Sequence, residues 1–211
     1  MSGIGGPPYM TEQELASEPR AAPGRLGRVQ SFINTVELTE GEDAIATATG
    51  LRWWLRAHGL SVPDRLVDER SVASAIDLRE ALRDLLDSKD EPPGEPHARE
   101  AARTLDALAV RHPILVRFGP GEAPRLEAAV GGFEGALATI LADAATAVGD
   151  GTWARFKTCH NDGCRWAFYD GSKNRSGAWC SMASCGNRMK GRAFRERRRA
   201  ADPGGRAAGA E

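Results

Sequence analysis

From about Arg25 the apolar residues return every three or four positions. The stretch "GRVQSFINTVEL" sets Val29, Phe32, Ile33 and Val36 on one face. "EDAIATATGLRWWLRAHG" continues with Ile45, Ala48, Leu51 and Leu55 before Gly59, so the spacing predicts two amphipathic helices. Ser71 reads as the cap of a third, with Val72, Ile76, Leu82, Leu85 and Leu86 inward. The polar stretch "SKDEPPGEPH", 88–97, is a loop by composition, and "AREAARTLDALAVRH" is a fourth helix closed by Pro113. "ILVRF" and "RLEAAV" flank the turn residues "GPGEAP" and predict a short hairpin, the one convincing β element before residue 150. A last helix, "GFEGALATILADAATAVG", turns Phe133, Leu137, Ile140, Leu141, Ala144 and Val148 inward and ends at Gly149.

These patterns divide the 211 residues into four segments. Residues 1–24, rich in Gly, Pro, Ala and Glu, read as a disordered lead-in; 25–150 form a helical domain; 151–199 form a small finger; and 200–211 are a flexible tail. The fold class is therefore mainly α: a helical N-terminal domain with one short β-hairpin, then a small C-terminal module. No basic region followed by an apolar stretch opens the chain, and no run approaches the roughly 18 apolar residues of a membrane span. A reducing cytoplasm is the expected setting, with no membrane partner.

All four cysteines fall within 159–185, in the spacing C-x4-C-x15-C-x4-C. Such clustering is not how disulfides staple a whole secreted chain. Two close pairs suit tetrahedral zinc, each pair offering two sulfurs from one tight local structure. In "CHNDGC" the Asn161-Asp162-Gly163 turn folds Cys159 and Cys164 toward each other. A wholly helical "CSMASC" would leave Cys180 and Cys185 about 140° apart. Cys180 must therefore precede the helix, with Ser181 as N-cap and Cys185 in its opening turns. Between the pairs, "RWAFYD" is strand-like and "GSKNRSG" a loop, so knuckle, β-hairpin and ligand-bearing basic helix form a treble-clef-like or ribbon-like four-cysteine zinc finger. A unit this small buries too little to fold unaided, which argues for one structural Zn2+ on Cys159, Cys164, Cys180 and Cys185, with seven of the chain's thirteen aromatics as the finger's remaining core. A redox-released zinc or a disulfide pair are the alternatives. His160 is a bystander, and four thiolates leave no open position for catalysis.

Charge changes the picture of the last helix. Residues 153–199 hold twelve Lys/Arg against three Asp/Glu, about +9, while the whole chain carries −1. In the helix, Met182, Cys185, Met189 and Ala193 form the inward stripe, and Arg188, Arg192, Arg195 and Arg199 the basic one. Lys190, Arg197 and Arg198 widen it, Glu196 is the lone acid, and Gly186 leaves room for a backbone or a phosphate. The surface fits a polyanion. Arg188, Arg192 and Asn187 are candidates for reading bases in the major groove, and Lys173 and Arg175 for clamping phosphates. Asn187 serves equally well as a support for a cysteine sulfur or for the helix start.

The pattern "C-x4-C…F-x-D-x-S-K-N…WCSM-x-x-CGNR-x-K" is carried here by Cys159, Cys164, Phe168, Asp170, Ser172, Lys173, Asn174, Trp179 to Met182, Cys185 to Arg188 and Lys190. It resembles the CGNR zinc finger. Upstream, "FINTVEL", "LRWWLRAHGL" and "LREALRDLL" stand in the order of the helical ABATE-type domain, which precedes that finger in bacterial proteins described as stress-induced transcription regulators. The resemblance implies four zinc ligands at the cysteines and DNA binding by the finger. Ala178 departs from it, standing where an arginine is expected before the tryptophan.

In the helical domain, Trp53 and Trp54 with Arg52 or Arg79 are candidates for a pocket taking a small-molecule effector. Packing explains adjacent tryptophans at least as well, and homodimerisation competes for the same surface. The leading expectation is a zinc-dependent DNA-binding regulator. An RNA- or ribosome-associated factor, stacking bases on exposed aromatics, is the runner-up, followed by a protein-interaction or redox-sensing module. No phosphate loop, carboxylate pair tied to a histidine, or nucleophile motif points to an enzyme.

Overall fold

The computed structural model describes residues 20–92 and 94–201, and side chains as far as Arg198. The expected lead-in before Arg20, the tail beyond Ala201 and the side chain of Arg199 lie outside the described residues. Residues 20–24 do not belong to a disordered lead-in. The Ala22 N–H donates to Gln30 Oε1 at 2.6 Å, and the Arg20 carbonyl accepts from the Tyr169 N–H at 2.9 Å.

Among the described residues six α-helices carry the architecture: α1 (Leu26–Ile33), α2 (Ala48–Ala57), α3 (Glu69–Ser88), α4 (Pro96–Arg111), α5 (Gly132–Gly149) and α6 (Asn187–Ala201). Three two-stranded antiparallel pairs join them: β1 (Val36–Glu37) with β2 (Glu42–Asp43), β3 (Ile114–Arg117) with β4 (Arg125–Ala128), and β5 (Phe156–Thr158) with β6 (Ala167–Tyr169). The chain is mainly helical, as the periodicity predicts. The β1–β2 pair, too short for alternation to register, is an addition. It also removes Val36 from the first helix, which ends at Ile33.

Local chemistry sets the helix starts. Thr47 caps α2, accepting from the Gly50 N–H at 3.1 Å. Asp68, not Ser71, caps α3: its carboxylate accepts from the Ser71 N–H at 2.9 Å while Ser71 Oγ accepts from the Asp68 N–H at 3.2 Å. The two orphan donors satisfy each other's residues, and Ser71 occupies the third helical position of this box. Helix α5 buries Ala147 rather than Val148, which is 57% exposed.

Around α5 gathers a single core in which Phe32, Ile33, Leu51, Trp54, Leu78, Leu82, Leu137 and Ile140 are fully buried or nearly so. That core does not stop at residue 150. Trp153, Phe156 and Ala167 are buried in it and Tyr169 packs against it, so three of the seven aromatics expected to form the finger's own core belong to the body's. Polar contacts fix the graft. Asn34 mimics a neighbouring strand for β6, donating to the Ala167 carbonyl at 2.9 Å and accepting from its N–H at 2.7 Å. Lys89 Nζ donates to the Phe156 carbonyl at 2.6 Å. Arg165 reaches Asp87 through Nε at 2.7 Å and Asp84 through Nη2 at 2.9 Å. Burial works against the Arg165 charge, but the two aspartates outweigh it and raise its pKa.

Candidate metal centre and basic helix

The first cysteine pair sits on a turn between β5 and β6. The Asn161 carbonyl accepts from the N–H groups of Cys164 and Arg165, at 2.7 and 3.1 Å, and the Cys159 N–H donates to the Trp166 carbonyl at 2.9 Å. These bonds fold Cys164 back beside Cys159. In the second pair, Cys180 lies in a bend ahead of the helical turn, and Ser181, in extended conformation, is the N-cap, its Oγ accepting from the Ser184 N–H at 3.3 Å. The opening turn, Met182–Gly186, is a π-turn closed by a bond from the Gly186 N–H to the Ser181 carbonyl at 2.9 Å. Widening this turn brings Cys185 round to the Cys180 side, which a regular α-turn does not.

All four Sγ atoms lie within 4.8 Å of one another, and Cys164 and Cys180 are 3.8 Å apart. Zinc–sulfur bonds of about 2.3 Å in a tetrahedron require sulfur separations of about 3.8 Å. The cysteines are free, far beyond disulfide distance. Three are buried, and among the described residues the hydrophobic groups that pack with them are Trp166, Trp179 and Cys180. Hydrogen bonds from Cys164 and Cys180 pull the Cys159 thiol far below its ordinary value, while the bond to Cys159 pushes Cys164 up to about 12 and Cys180 higher still. Four thiolates this close together repel one another, a conflict that a divalent cation among them relieves. The donor set and spacing fit one zinc ion. Asn161 adds what the sequence did not reveal: its Nδ2 donates to Cys185 Sγ at 3.6 Å. His160 is exposed, its ring 6.0 Å edge-on from Trp179, and it stands outside the ligand group.

A model of the CGNR zinc finger matches residues 155–198, and the ABATE model, described as "Putative stress-induced transcription regulator", matches residues 28–151. The chain belongs to the ABATE family and carries a CGNR zinc finger. No curated protein matches it.

The CGNR motif itself, Cys185 to Arg188, joins the metal centre to α6. Gly186 leaves no opening for phosphate. A Cβ there would lie 2.8 Å from Met182 Sδ and 3.2 Å from Trp179 Cδ1, so the missing side chain makes room for those two residues. Met182 is nevertheless 46% exposed rather than on an inward stripe. Asn187 does not touch a sulfur. Its Nδ2 donates to the Ala183 carbonyl at 3.3 Å and ties the π-turn to α6, the helix-start role.

Beyond that point no side chain through Arg198 is buried. Arg188, Lys190, Arg192, Arg195, Arg197 and Arg198 are all exposed, as are Lys173 and Arg175 in the loop before Trp179. Arg192 Nε pairs with Glu196 Oε1 at 2.9 Å, and Arg198 lies 6.0 Å over the Phe194 ring. The effector candidates fare differently. Trp54 is buried, stacked on His58 at 4.2 Å, its Nε1 donating to Ser31 Oγ at 3.1 Å. Arg79 is buried against Asp43, at 2.7 and 2.9 Å, and Arg52 donates to the Val67 carbonyl at 2.9 Å. Trp53 packs against the core. Trp54 and Arg79 are thus committed to the core while Arg52 and Trp53 are half-buried, and a cleft of about 430 Å³ lies elsewhere, beside Arg65, Arg70 and Gly132.

Among the described residues no helix is long and apolar enough to cross a membrane.

Proposed function

We propose that this ABATE-family chain is a DNA-binding transcription regulator in which the four-cysteine centre mounts α6 as a rigid cationic probe. The observation that carries this reading is the junction at Cys185 and Gly186. Cys185 is buried as a sulfur ligand, and two positions later begins a helix whose basic side chains through Arg198 are all exposed. A bound zinc ion would supply the cross-link between knuckle and helix root that few apolar contacts provide. Arg188, Lys190, Arg192, Arg195, Arg197 and Arg198 then present guanidinium forks and an ammonium to phosphates, with Arg188 and Arg192 placed to read guanine edges. Asn187, occupied with Ala183, is left out of base reading.

Duplex DNA is favoured over unpaired RNA because most of the finger's aromatics are buried or half-buried rather than free to stack. The helical body, whose interior is filled, sets oligomeric state or receives a signal through its surface. The reading assigns no catalytic step and a cytoplasmic location. It is tested by titrating the zinc-loaded chain against duplex DNA over a range of salt. Binding should fall steeply with salt, with a log–log slope of about −0.9 per phosphate contacted, and Arg192→Ala with Arg195→Ala should weaken it. Affinity indifferent to salt and to these arginines would sink the proposal.

A further inference from the structure

The loop between β6 and Cys180 is built around a buried ion pair. Asp170, 1% exposed, accepts from Lys157 Nζ at 2.8 Å and from the backbone N–H groups of Ser172 and Gly177 at 3.1 and 2.7 Å. The same ammonium donates to the carbonyls of Arg175 and Gly177, at 2.5 and 3.2 Å. Arg155 Nη1 clasps the carbonyls of Asp170 and Ser172 from outside, at 3.1 and 3.0 Å. At Gly177 the carboxylate closes directly on the backbone: a Cβ there would lie 2.9 Å from Asp170 Oδ1. Burial pushes the Asp170 carboxyl up, but Lys157, Ser172 and Gly177 outweigh it and hold it well below the usual range.

What these bonds hold is a crest of exposed polar residues, Lys173, Asn174 and Arg175, with Arg175 in the left-handed region at φ 51°. Among the described residues no carboxylate pairs with Lys173 or Arg175. Desolvating an ion pair adds little stability by itself. A pair that instead gathers two carbonyls and two N–H groups of one loop fixes the direction in which that loop points. The crest is thus both preformed and unneutralised, the two properties required of a phosphate-binding surface.

We infer that the Asp170–Lys157 pair is a positioning device that fixes loop 171–177 as a second phosphate-binding arm, with Lys173 and Arg175 contacting the sugar-phosphate backbone of the duplex engaged by α6. The inference rests on the DNA-binding reading above. Its test measures the salt dependence of binding by the full, zinc-loaded chain to a short mixed-sequence duplex. Replacing both crest cations, Lys173→Ala with Arg175→Ala, should reduce the magnitude of the slope by about 1.8, two phosphates' worth. Asp170→Asn should shift the slope the same way with zinc content unchanged, and should add nothing on the crest-variant background, whereas simple loss of folding would lower zinc content as well.

Should Asp170→Asn fail to retain zinc, Arg155→Ala loosens the same loop from outside the buried pair and gives the reading. An unmodified slope in the crest variant, or in the positioning variants, overturns the inference. If the Arg192 and Arg195 variants still weaken binding in that case, the helix reading survives alone. Absence of salt-dependent binding by the unaltered chain removes both.

Discussion

Phe156 in β5 is fully buried in the core of the helical body, whereas the side chains of α6 from Asn187 to Arg198 are exposed or, at Met189 and Ala193, only half-buried. Both belong to one CGNR finger, yet they are held by different forces. The hairpin is an extension of the body, secured by apolar burial and by Asn34, Lys89 and Arg165. The helix depends on four sulfurs and a pair of half-buried tryptophans. A metal site is thus needed only where the apolar core runs out. The largest expected effect follows from that contrast. Chelation of zinc, or Cys180→Ser, should abolish DNA binding and release α6, while the thermal transition of the body persists. Far-ultraviolet circular dichroism should show partial helix loss, and amide exchange should quicken after Trp179 but stay slow in α5. A single cooperative unfolding of the entire chain on chelation would contradict the contrast.

Phe156→Ala attacks the other side of the comparison. Removing a fully buried phenylalanine costs about 3–5 kcal/mol, and here the cavity opens in the core shared by body and hairpin. The midpoint of urea denaturation should fall accordingly for body and finger together. A loss confined to the finger would restore the picture of two independent units.

The same boundary divides what was legible in the sequence. Helix positions, the β3–β4 hairpin and the four ligands follow from periodicity and spacing, because a 3.6-residue apolar repeat and paired cysteines each leave a local trace. The need to place Cys180 outside the helix follows from geometry, since five residues of α-helix cannot bring two sulfurs together. The graft of β5 and β6 onto α1 and α3 leaves no such trace. Asn34 and Ala167 are far apart in sequence, and nothing local marks an asparagine side chain as a substitute strand. Trp53 and Trp54 show the converse failure. Adjacent large aromatics are a visible signal, but Trp54 went to the core, stacked on His58. The sulfur contact of Asn161 and the N-cap role of Asp68 are not legible locally, because Asn and Asp serve turns, caps and sulfur contacts with the same short side chain.

A smaller effect concerns the exposed helix alone. Glu196 is the only acid on α6 among the described side chains, and it holds Arg192 in an i,i+4 pair. DNA must break that pair to engage Arg192 fully. Exposed pairs are weak, so Glu196→Gln should tighten duplex binding by about two- to threefold, with the difference shrinking at high salt. Fluorescence anisotropy at two ionic strengths would reveal it, and weaker binding by the variant would show that Glu196 supports the arginine rather than competing for it.

The smallest effect belongs to the body and leaves the finger untouched. The Ser71 backbone N–H, then its hydroxyl, hold the Asp68 carboxyl below its ordinary value. A carboxyl depressed on folding adds stability that is fully present above its unfolded value, about 3.9, and is lost as pH falls through the lower folded value. Asp68→Asn keeps an acceptor at the N-cap but has no charge to titrate. Wild type should therefore melt slightly above the variant at neutral pH, with the gap closing below about pH 4. Because the α3 start lies at the opposite end of that helix from Asp84 and Asp87, which grip Arg165, zinc content and DNA affinity should not differ between the two proteins at neutral pH. A gap that widened on acidification would mean that Asp68 is protonated more readily in the folded chain, contrary to its bonds with Ser71.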